Sequence, residues 1–183
     1  MKTKIIILIH FLLFTLGSSY AQNWSRLSKE IKKNQKKETL KLTDYDNYYI
    51  DMYYKYRKET GVFNRLNINL KNDTIFIIEM HGDLSNNHYF SSAWNKLGLI
   101  SYEYDENSLS YQSTPLFGVY MLKLVSEWDV EKIRVEEKVN SSMIPNTIIY
   151  ATRIIFENKK CKIDCIRFKD FFNLERDRMD FRK

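Results

Sequence analysis

The stretch from Thr114 to Trp128, TPLFGVYMLKLVSEW, constrains the fold more than any other part of the chain. Thr114 reads as a helix cap, because its hydroxyl can accept a bond from an orphan N–H of the first turn. Pro115 then falls at the first helical position, where a missing N–H costs nothing. At about 100° per residue, Leu116, Phe117, Tyr120, Met121, Leu124, Val125 and Trp128 share one half of the cylinder. Lys123, Ser126 and Glu127 form a narrow polar wedge. A helix this apolar must be covered on most sides, which predicts a sheet packed against it.

Residues 1–21 read as a signal peptide. Lys2 and Lys4 precede an apolar run from Ile5 to Leu16, and Ser19 and Ala21 are small residues at the −3 and −1 positions of a cleavage site. The ending SSYAQN resembles those of Gram-negative bacterial export signals. The apolar run is shorter than the ~20 residues that cross a bilayer, so the chain is not expected to span a membrane after cleavage. Gln22 follows the predicted cut, which excludes a cysteine-linked lipid anchor there. Removing 21 of 183 residues leaves 162, enough for one domain with a real core. Losing Lys2 and Lys4 lowers the net charge from +6 to +4, well short of a nucleic-acid footprint. With only 5 Gly and 2 Pro there is no linker-like composition, and no repeat is evident.

Residues 22–43 read as a basic helical segment and residues 44–183 as a single α+β domain. In the segment, Trp24, Leu27 and Ile31 recur at helical spacing amid lysines. The stripe suits docking on the domain, and the lysines suit an anionic surface. Next, YYIDMYYKYRK alternates, with Tyr48, Ile50, Met52, Tyr54 and Tyr56 on one side and Tyr49, Asp51, Tyr53, Lys55 and Arg57 on the other; this predicts a strand. Leu66–Leu70 and TIFIIEM read as a hairpin whose second strand is central. YFSSAWN and LISYEY are further strands. Asp129 caps a short helix over Val130–Val139 with Val130 and Ile133 inward, and TIIYATRIIFE with CKIDCIRFKDFF makes a final hairpin. The expected class is α+β: a largely antiparallel sheet packed on one main helix at about residues 114–128, with a short second helix and the C-terminal hairpin.

Chemistry-bearing residues are sparse. Glu79, His81, Asp83 and His88 form the one cluster of acid–base types, and His81, Asp83 and His88 are the candidate catalytic set. Their spacing matches no zinc signature, so neither a metal nor a cofactor is expected. A polar hairpin loop explains the same residues. No nucleophile elbow, phosphate-cradling glycine loop or C-x-x-C pair is present. Cys161 and Cys165, four apart on one strand, lie ~13 Å apart and cannot bridge; both are expected on the core face beside Ile163. Among 13 tyrosines, Tyr49 and Tyr53 are the candidate ligand platform, being on the more polar side of their predicted strand.

These features favour an exported, non-catalytic binding module of the periplasm or exterior, with an envelope or extracellular protein or glycan as partner and no nucleic acid. The alternatives are an envelope hydrolase or metal-dependent enzyme using the His81, Asp83 and His88 loop, and a periplasmic inhibitor or immunity-type protein.

Overall fold

The structure is a computed structural model and describes residues 24–38, 44–69, 71–81, 88–105, 108–140, 148–158 and 160–169. Residues 1–21, read from the sequence as a signal peptide, Asp83 and the residues after Lys169 lie outside the described residues. Helices come first: α1 (residues 24–38), α2 (Asp44–Thr60) and α3 (Val62–Arg65). Four strands follow: β1 (Asn72–His81), β2 (Tyr89–Asn95), β3 (Gly98–Asp105) and β4 (Ser108–Gln112). Then come α4 (Val119–Glu127), α5 (Val130–Asn140), β5 (Ile148–Glu157) and β6 (Lys160–Lys169). The strands form one antiparallel sheet in the order β4-β3-β2-β1-β5-β6. The α+β class, the antiparallel character of the sheet and the C-terminal hairpin agree with the sequence expectation.

Alternation along the strands sorts side chains to two faces. On one face, Ile78, Trp94, Ile149, Ala151, Ile166 and Phe168 pack with Met121, Leu124 and Val125 of α4 and Ile133 of α5. On the other, Ile75, Ile77, Ala93, Tyr102, Ile154 and Phe156 pack with Leu27 and Ile31 of α1 and with Val62 and Phe63 of α3. The sheet is therefore covered on both faces, where the sequence called for a helix on one. The basic N-terminal helix docks: its apolar stripe is inside, and Lys32 and Lys36 bridge to Asp51 of α2 at 3.0 and 3.1 Å.

Three expectations need correcting. The segment YYIDMYYKYRK is helix, not strand. The buried residues of α2 are Asp46, Ile50, Tyr53, Tyr56, Arg57 and Thr60, a helical line that an aromatic-rich sequence disguises as alternation. Seventeen residues without glycine or proline also exceed an ordinary strand. Basic Arg57 and Lys58 in its last turn complement the helix dipole.

Leu66 and Ile68 do not begin a hairpin. Leu66 is buried and Ile68 half-buried under α3, so their apolar surface is used in irregular backbone. The carboxylate of Asp73 ties that segment down, accepting from the N–H of Asn69 at 3.1 Å and from Nδ2 of Asn95 at 3.0 Å. β1 is nonetheless central, paired to β2 and β5.

The main helix starts later than Thr114. Gly118 is its N-cap, and Leu116 instead donates its N–H to Oγ of Ser92 at 3.4 Å. That bond and the burial of Phe117 hold Leu116 and Phe117 against the sheet rather than in a helical turn. The helix ends in a Schellman motif: Trp128 takes φ 54°, its N–H reaches the carbonyl of Val125, and Asp129 N–H reaches Leu124. Asp129 Oδ1 then caps α5 by accepting from Lys132 N–H at 3.0 Å, as the sequence indicates.

Candidate functional site

Glu79 stands third from the end of β1 with its side chain fully buried under α1 and α2. An isolated carboxylate there would be prohibitive, so its partners define the site. Helical spacing supplies them. Gln35 follows Leu27 and Ile31 on the inward line of α1, and Arg57 follows Ile50 and Tyr53 on that of α2. Arg57 Nη1 donates to Glu79 Oε1 at 2.6 Å and also reaches Oε2. Gln35 Nε2 donates to Oε2 at 2.7 Å, and the Tyr89 hydroxyl to Oε1 at 3.0 Å. Arg57 Nη2 reaches Gln35 Oε1 at 3.4 Å. One carboxylate thus ties two helices and two strands together.

Tyrosines wall this pair. Tyr53, Tyr56, Tyr89 and Tyr150 are all buried, with Tyr53 and Tyr56 set 5.4 and 4.7 Å from Tyr89. Burial, with the Glu79 charge second, holds the Tyr53 and Tyr89 hydroxyls well above the usual phenol range. A second polar tie lies beside it. Asp46 accepts from the Tyr150 hydroxyl and from Arg167 Nε, both at 3.2 Å, joining α2 to β5 and β6.

The candidate residues read from sequence are dispersed. His81 is buried at the end of β1, its ring 4.4 Å from that of Tyr49. His88, just before β2, packs edge-on to Phe90 at 6.0 Å. Asp83 lies outside the described residues. No three His, Cys, Asp or Glu side chains among the described residues converge as metal ligands would. Tyr53 is not an exposed platform: it is fully buried, because its segment is a helix with that position inward. Tyr49 is half-buried against His81. Cys161 is exposed at the hairpin end, against expectation, and Cys165 is buried; both are free thiols. Sequence reasoning missed Arg57, Gln35, Tyr89 and Asp46, and the helical line through α2 was the signal available for two of them, Asp46 and Arg57.

His81 has a measurable consequence. Burial, and secondarily the charge of His88, lowers its pKa to about 4 from 6.5. The unfolded chain therefore binds the proton first as pH falls. Stability owed to neutral His81 is complete above about pH 6.5, is lost between about 6.5 and 4, and is level below that. The shift corresponds to at most about 3 kcal/mol. The difference in denaturant midpoint between wild type and His81→Asn should shrink from pH 7 to pH 4.5. A difference independent of pH would contradict this environment.

A surface groove of about 410 Å³ lies at the end of the sheet away from His81. Asn72, Thr74, Phe76, Trp94, Lys96 and Ser126 line it, with Asp73 and Asn95. Phe76 and Trp94 are stacked at 5.5 Å, and the indole N–H donates to Ser126 Oγ at 2.9 Å. No described helix is long and apolar enough to cross a membrane. No family model, curated protein or solved structure matches the chain.

Proposed function

We propose that this chain is a non-catalytic exported binding module whose ligand is a neutral glycan of the envelope or exterior. The saturation of Glu79 carries the reading. Its carboxylate takes bonds from Arg57, Gln35 and Tyr89 beneath two helices, so it is committed to joining layers rather than to proton transfer. The groove supplies the complementary feature. Aromatic side chains in its lining and a rim of amide, hydroxyl and ammonium groups suit a sugar's mixed apolar and hydroxyl faces.

The test is a fluorescence titration of the purified protein with a panel of neutral oligosaccharides from bacterial envelopes. A saturable change is expected in wild type, weakened at least about tenfold by Thr74→Arg, which fills the groove. No response to any oligosaccharide would remove the glycan reading. A hydrolytic activity in wild type that His81→Asn abolishes would replace it with the enzyme reading.

A further inference from the structure

The two edges of the sheet are finished differently. Along β6, α5 side chains take outward backbone groups: Arg134 Nη1 donates to the Arg167 carbonyl at 2.6 Å, and Glu137 Oε1 accepts from Lys169 N–H at 2.9 Å. β6 also carries Lys160, Lys162, Asp164, Arg167 and Lys169. Covering side chains and edge charges both discourage another strand from pairing there. β4, at the other edge, reads Ser108-Leu109-Ser110-Tyr111-Gln112. It has no charged residue, and every residue except Leu109 is exposed.

Register fixes which of its backbone groups face outward. Asp105↔Ser108 is the pair nearest the β3–β4 turn, so its members exchange backbone hydrogen bonds. Glu103↔Ser110 and Ser101↔Gln112 follow at intervals of two. The N–H and C=O of Leu109 and Tyr111 therefore point away from β3. Their side chains share the face of Tyr102 and Tyr104, where Arg65 lies 4.0 Å over the Tyr111 ring.

We propose that β4 pairs antiparallel with β4 of a second copy of this chain, about a twofold axis at Ser110, joining the two sheets edge to edge. The strand is self-complementary in that register. Leu109 faces Tyr111 of the second copy and Tyr111 faces its Leu109, and each pair unites the outward-facing backbone groups of both strands. Both are aliphatic–aromatic pairs, which stabilise antiparallel strands. Ser108 faces Gln112, Ser110 faces Ser110, and no like charges meet. A ladder this short buries less than the ~1,000 Å² of a stable interface, so the pairing is reversible and depends on concentration. It leaves the groove at Phe76 and Trp94 untouched and does not depend on what that groove binds.

Disulfide trapping on the full chain tests the register. With Cys161→Ser as background, Cys165 remains buried, and burial holds its thiol pKa up at about 12, so it is a poor competitor. Ser110 and its counterpart form a non-hydrogen-bonded pair with Cα atoms ~4.5 Å apart, inside disulfide range. Mild oxidation of Ser110→Cys should give a covalent dimer in at least about fivefold the yield of Ser108→Cys, whose counterpart lies four residues out of register. Adding Leu109→Pro should abolish it. That proline removes an outward N–H that β3 does not use, so the hairpin survives, and a thermal melt checks this. Equal yields at positions 108 and 110, no dimer at either, or a dimer that survives Leu109→Pro would overturn the proposal.

Discussion

Glu79→Ala is expected to lower stability by about 3–5 kcal/mol, the usual cost of leaving one member of a buried ion pair without its partner. The loss is large because Arg57 is also buried, on a helix whose inward line fixes where its side chain goes. Gln35 and Tyr89 lose the same acceptor. Arg57→Ala should cost a similar amount for the converse reason. Denaturant unfolding followed by tryptophan fluorescence measures both, and a midpoint near wild type for either variant would mean that water reaches the pair.

Ile31→Ala should cost about 2–5 kcal/mol, the range for an aliphatic side chain removed from a packed interior. Ile31 is fully buried in one cluster with Ile75, Ile77, Val62 and Phe63. The effect would establish α1 as part of the folded core rather than an arm. Lys33→Ala, on the exposed side of the same helix, is the control and should stay within about 0.5 kcal/mol. Equal, small effects at both positions would mean that α1 is dispensable to the fold.

How much of this was legible follows from what each element relies on. The hairpin of β5 and β6 and the strands β2 and β3 carry their pattern locally, in apolar runs with a tight turn between them. β1 announced its central place by being apolar on both faces. α2 did not. Its tyrosines serve a half-buried strand or a helix equally well, and the decision came from tertiary packing, which uses Ile50, Tyr53 and Arg57 as one line. The start of α4 was also non-local: Ser92, 24 residues earlier in the chain, takes the N–H of Leu116. The candidate site was half visible. Glu79 and His81 stood out as titratable residues in an apolar strand, but two of the partners of Glu79, Gln35 and Arg57, lie on helices 44 and 22 residues away. Long-range pairing of this kind leaves no spacing signature in one sequence.

The central claim is that the buried ion pair is scaffold. A double-mutant cycle on Arg57 and Glu79 tests it most directly, using Arg57→Met, Glu79→Met and the two together. If the charges serve each other, each single variant strands a buried charge and the double strands neither. The expected result is a double variant more stable than the sum of the single losses predicts, by at least about 1 kcal/mol, with the glycan response unchanged. Strictly additive losses, or a stable double variant that no longer binds, would contradict the account.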